Sequence, residues 1–143
     1  MKETMLVSAF PGCGKSHLFK NKGNKVILDS DSSTFDKSEF PKNYIKHIKE
    51  NIGKADVILI SSHDVVRDAL LVNGIKFTLV YPDISIKDEY IQRYIDRGNN
   101  EQFVKLLEEN WETWIADMEK QKGCKHIKLQ SGQYLSDVIK LKV

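Results

Sequence analysis

The 143-residue chain is poor in cysteine, poor in arginine and without a long apolar run. Two cysteines, Cys13 and Cys124, cannot build a disulfide framework, which excludes the small stapled scaffolds. No segment approaches the length of a membrane span, and the apolar run near the N-terminus is too short for a signal peptide. A cytoplasmic protein without membrane contact is expected. A formal net charge of +2 gives no basis for an extended nucleic-acid surface. Arginine is the scarcest of the charged residues: Arg67, Arg93 and Arg97 stand against 19 lysines. Where lysine is the default cation, these three positions are candidates for work that needs the planar, bidentate guanidinium.

What is present points to one α/β domain over residues 1–143. The apolar fraction of 41% and the charged fraction of 29% are those of a globular protein, and the length suffices for a core. Five β-type runs (Met5 to Ser8, Lys25 to Leu28, Asp56 to Ile60, Lys76 to Tyr81 and Lys125 to Leu129) alternate with helical stretches. Such alternation builds βαβ units, and runs such as Val57-Ile58-Leu59-Ile60 suit parallel strands covered on both faces. Ser61 to Asp64 reads as a cap for a helix over Val65 to Val72, which Asn73-Gly74 stops. Ser85 and Asp88 form a capping box for a helix that ends at Arg97-Gly98-Asn99. The longest helix, Glu101 to Lys122, places Phe103, Leu107, Trp111, Trp114 and Met118 on one apolar face and stops at Gly123.

Between the first strand and the first helix lies Ala9-Phe10-Pro11-Gly12-Cys13-Gly14-Lys15-Ser16, followed by His17. Strand, glycine-bearing loop, lysine, hydroxyl and helix is the layout of a triphosphate cradle of the Walker A type. Gly12 and Gly14 permit backbone conformations that turn amides toward one centre, and the helix start from Lys15 to His17 adds its positive end. Lys15 would reach the β- and γ-phosphates of ATP, and the Ser16 hydroxyl would ligate Mg²⁺. Ala9 stands where the pattern has glycine. Cys13 is either a thiol activated by the helix start and Lys15 or a residue that merely fills the loop.

Asp29 and Asp31 stand at the carboxyl end of the second strand, where α/β sheets bind ligands. Asp29 is the candidate for supporting Mg²⁺. Asp31 is the candidate for holding the acceptor and receiving its proton during attack on the γ-phosphate. The alternative for both is a turn or helix cap. The third strand ends in Ser61-Ser62-His63, without the carboxylate that an ATPase motor needs, which argues against hydrolysis as the main task. No Asn-Lys-x-Asp follows the fourth strand, which argues against a guanine switch. Arg93 and Arg97, four apart on one helix before Gly98, suit a lid over residues 85–100 that closes on the transferring phosphoryl; a solvated face paired with Asp96 or Glu89 is the alternative. Arg67 is read either as an acceptor-phosphate ligand or as a surface salt bridge, and His63 as a substrate contact or a cap.

These residues together resemble the P-loop kinases of nucleoside monophosphates and related small acceptors. Ala9 to Ser16 looks like the G-x-P-G-x-G-K-[ST] form of adenylate-kinase-like enzymes, Asp29-Ser30-Asp31 like the D-x-D of shikimate-type kinases, and Arg93 to Arg97 is similar to their lid arginines. The whole string is similar to small kinase-like proteins of bacteriophages, so a bacterial or phage-infected cell is the expected setting. The resemblance implies a three-layer fold with a five-stranded parallel sheet in the order 2-3-1-4-5 and an acceptor region over residues 32–54. It also implies that Ser131 to Leu135 lies near the adenine. Missing is the Asp-Gly-x-Pro-Arg segment that adenylate kinases carry after the third strand, which leaves Arg67 as a substitute for the monophosphate arginine. The expectation is an ATP- and Mg²⁺-dependent kinase acting on a nucleoside or deoxynucleoside monophosphate. The alternatives are another small acceptor, a polynucleotide 5′ end, or a nucleotide-binding module with little catalysis.

Overall fold

Residues 57–60 are each at most 2% exposed, as a strand covered on both faces requires. In the computed structural model, which describes residues 3–20, 23, 25–30 and 36–139, each β-type run becomes a strand. These are β1 Met5–Ala9, β2 Ile27–Ser30, β3 Val57–Ser61, β4 Thr78–Pro82 and β5 Lys125–Leu129. All pairs are parallel and the order is β2-β3-β1-β4-β5, with helices on both sides of the sheet. β2 and β4 begin two residues later than the apolar pattern suggests. A ladder needs a partner strand, and pairing starts only at Ile27 with Val57 and at Thr78 with Val7.

The helices are α1 Lys15–Lys20, α2 Lys42–Asn51, α3 Asp64–Val72, α4 Lys87–Asp96, α5 Glu101–Glu119 and α6 Leu135–Val138. His63 caps α3: its Nδ1 accepts from the Val65 amide at 3.2 Å. The capping box at Ser85 and Asp88 does not form. A 3₁₀ turn, Ile84–Ile86, precedes α4, and both the amide and the hydroxyl of Ser85 donate to Asp83 Oδ1. α5 starts under Asn100, whose side chain accepts from the Phe103 amide, and ends before the expected Lys122.

The core runs beneath the end of β1. Phe10 and Tyr90 each meet the fully buried Trp111 with ring centroids 5.5 Å apart, and the Trp111 indole donates to the Ile84 carbonyl at 2.9 Å. Each such buried aromatic contributes roughly 2–3 kcal/mol. Trp114 is only half-buried, so the expected face of α5 is right in period but narrower than read. No helix among the described residues is long and apolar enough to cross a membrane.

Candidate phosphate-binding site

The chain leaves the central strand β1 at Ala9 and enters α1 at Lys15. Ala9 pairs with Ser61 and Val80 as an ordinary strand residue with φ negative, so its position does not call for glycine. Gly12 and Gly14 differ, with φ of +91° and +96°. A Cβ on Gly12 would lie 2.8 Å from the Tyr94 ring, so both conformation and space exclude a side chain.

Three successive carbonyls of this loop are turned into the protein. Pro11 O accepts from the Tyr94 hydroxyl at 2.7 Å, Gly12 O from Arg93 Nη1 at 2.8 Å, and Cys13 O from the Leu135 amide at 2.8 Å. In a trans peptide the following N–H points the opposite way. The Cys13 amide bonds back to Phe10 O, but those of Gly12, Gly14, Lys15 and Ser16 have no protein acceptor among the described residues. A run of outward amides ending in a helix start is an anion-binding concavity. Lys15 is half-buried beside it, and its ammonium has no hydrogen bond or ion pair with a described residue. The side chain of Ser16 lies outside the described structure.

Arg93 has a different place from the one a lid predicts. Tyr90 and Tyr94 on the same helix are fully buried, so α4 is docked against the loop. The Arg93 side chain is 11% exposed and donates to Gly12 O, Glu89 Oε2 and Gln133 O. Its guanidinium also lies 4.3 Å from the Tyr90 ring centroid and 4.0 Å from that of Tyr134. Glu89 completes the clamp by accepting from the Gly132 amide at 2.9 Å and from the Ser131 hydroxyl. Those two bonds, with Arg93, hold its carboxyl below the ordinary value of 4.5. Residues 131–135 are thereby packed on the phosphate loop; a Cβ on Gly14 would meet Tyr134 at 3.0 Å. Arg97 is exposed, and its Nε donates to Asn99 at 3.2 Å. The Glu89–Arg93 and Tyr90–Tyr94 spacings of four were visible in the sequence; their joint use as an anchor was not.

On the other side of β1, Asp29 pairs with Leu59 in the β2–β3 ladder and is exposed, and its side chain has no hydrogen bond or ion pair with a described residue. Asp31 lies outside the described residues. Between them in sequence, Ser30 is 7% exposed, its hydroxyl 3.0 Å from His47 Nε2 and its carbonyl bonded by the Tyr44 hydroxyl. Tyr44 also accepts from the Ser61 amide at 3.3 Å, joining the ends of β2 and β3. Nothing in the sequence reading singled out His47 or Tyr44. Arg67 is not placed as an acceptor ligand. It is 4% exposed and donates to Ser62 O, Gln121 Oε1 and Asp117 Oδ2 at 2.9, 2.7 and 2.7 Å, which ties α3 to α5. The ion pair with Asp117 is present, but on a buried arginine and not at the surface.

Cys13 is fully buried, 3.7 Å from the Tyr90 hydroxyl, and burial pushes its thiol up to about 12. It fills the loop rather than offering a reactive thiolate. A groove of about 800 Å³ lies at the opposite end of the sheet, where the strands begin, between Met5, Thr78 and Lys125. There the nearby amides of Met5, Val26 and Lys125 are already paired, so the groove lacks the convergent donors of the loop. Comparison with protein-family models and with curated proteins finds no match.

Proposed function

We propose that the chain is an ATP- and Mg²⁺-dependent phosphotransferase acting on a small acceptor. The observation that supports this most is the loop after β1, whose carbonyls are anchored by Tyr94, Arg93 and Leu135 while the amides of Gly12, Gly14, Lys15 and Ser16 bond to no described residue. Anchoring from behind fixes the amides before any phosphate arrives, which lowers the cost of ordering them on binding. Lys15 and the loop amides hold the β- and γ-phosphates; Ser16 and Asp29 are the residues that would hold Mg²⁺, which neutralises charge on those oxygens when bound. Arg97, exposed just after α4, is the proposed contact to the transferring phosphoryl, whereas Arg93 holds the loop through Gly12 O. Ser131 to Leu135, packed on Gly14, gives the nucleoside end of the donor its wall. Asp29, on β2, would support the acceptor side, with Asp31, two residues further in sequence, as the proposed acceptor contact.

The test is acceptor-dependent release of ADP. The wild type should release ADP faster in the presence of an acceptor, and Lys15→Ala should lose about 100-fold or more of that rate with its fold intact. ATP binding without acceleration by any acceptor would favour a regulatory module instead.

A further inference from the structure

We propose that the groove where the strands begin is a second binding site, for a small organic anion with a flat apolar body. It is independent of the phosphate loop, which leaves β1 at the other end of the sheet.

A volume of about 800 Å³ is in the range that takes a whole small molecule. Its unspent polar groups gather on one side. Thr78 and Lys125 are partners in the β4–β5 ladder, so their side chains share a face of the sheet on strands about 4.8 Å apart, and Lys76 stands two residues before Thr78. All three line the groove. Neither ammonium group, nor the Thr78 hydroxyl, has a hydrogen bond or ion pair with a described residue. Two cations and a hydroxyl on adjacent strands are donors for one anionic group.

The other charges direct that group to the same side. Among the described lining residues, Lys25, Lys76 and Lys125 stand against Glu3 and Asp56. The two carboxylates precede β1 and β3, and Asp56 Oδ2 already accepts from the Val26 amide at 2.8 Å. On the β4–β5 side the charged residues lining the groove, among those described, are both lysines. The amides of Met5 and Lys125 are spent on Asp56 O and Phe77 O, so these backbone groups form no nest for a bare phosphate.

The remaining surface is apolar. Leu6, Val57 and Phe77 are buried beneath the groove, and Met5 is 40% exposed on a strand whose next four residues are all buried. A methionine thioether adapts to an aromatic face or edge. A flat apolar body lying on Met5 covers this surface while its acid group reaches Lys76 and Lys125.

Fluorescence titration of the full chain with anilinonaphthalene sulfonate tests the proposal, with uncharged phenylnaphthylamine as the matched probe. The expected result is saturable binding of one sulfonate per chain, about tenfold tighter than the uncharged probe. Naphthoate or naphthyl phosphate should displace it, and their relative strength ranks the acid groups the site takes. Lys76→Gln combined with Lys125→Gln should weaken binding about tenfold at an unchanged melting temperature, since both lysines are exposed, whereas Lys125→Arg should retain it. Absence of saturable binding, equal affinity for the two probes, or undiminished affinity in the double variant would overturn the proposal. Loss of binding in Lys15→Ala would place the probe at the phosphate loop and overturn it equally. Displacement by hexaglutamate or inorganic phosphate in preference to naphthoate would mark a protein-docking surface or bare charge, and would also overturn it.

Discussion

Replacing Arg93 by alanine separates an arginine that moves with a lid from one that anchors the phosphate loop. In the structure the guanidinium satisfies Gly12 O and Gln133 O, pairs with Glu89 and lies against two aromatic rings. Leaving partly buried carbonyls without a donor costs about 1–3 kcal/mol, and loss of the ring contacts about 0.5–2 kcal/mol more. Glu89 keeps Ser131 and Gly132, so its own loss is smaller. A total near 3 kcal/mol lowers the melting temperature of a domain of this size by roughly 10 °C. Calorimetry on the nucleotide-free protein measures it. An arginine that acted only on bound phosphate would leave that melting temperature unchanged, and a shift under about 2 °C would refute the anchoring argument. Arg93→Lys should fall between, since lysine keeps one donor at a time and loses the planar stack.

Other consequences follow from the same contacts. Arg67→Met should destabilise by about 1–3 kcal/mol through the lost bonds to Ser62, Gln121 and Asp117, read by thermal melting, while leaving the acceptor KM within about twofold. A large rise in that KM would return Arg67 to the acceptor site. Because the Glu89 carboxyl is held below 4.5 by Gly132, Ser131 and Arg93, its ionised form stabilises the fold above that pH, and the contribution is lost as pH falls through the lowered value. The stability gap between wild type and Glu89→Gln should therefore be level near neutrality and narrow on acidification below 4.5; a gap that widens there would contradict the assignment. With its thiol raised to about 12, Cys13 should resist a disulfide reagent at pH 8 until denaturant is added, while the half-buried Cys124 reacts first. Peptide mass spectrometry distinguishes the two sites.

β1, β3 and β4 were legible as buried apolar runs, whereas β5 is mostly exposed, and the order of the sheet was what the resemblance to P-loop kinases implied. Local pattern could not show where pairing begins, which depends on the neighbour, as at Ile27 and Thr78. α2 went unread although Tyr44, Ile45 and Ile48 have helical spacing, because residues 32–54 were read only as an acceptor region. The loop residues were readable from a local motif. The anchoring of that loop was not, since Arg93, Tyr94 and Leu135 lie more than 80 residues downstream in two cases and beyond 120 in the third. Arg93 was found for its charge, but its bonds to Gly12 O and Gln133 O were not foreseen, because a helix face does not reveal which of its sides docks. Arg67 shows the same limit: its partners Asp117 on α5 and Gln121 just after it are 50 and 54 residues away.

Residues 9–16 are proposed to form a preorganised triphosphate cradle with Lys15 as its cation. Isothermal titration of MgATP into the wild type and into Lys15→Ala tests it most directly. Saturable one-to-one binding by the wild type, weakened by about tenfold or more in the folded variant, is the predicted result. No binding by the wild type, or equal affinity in the two proteins, would contradict it.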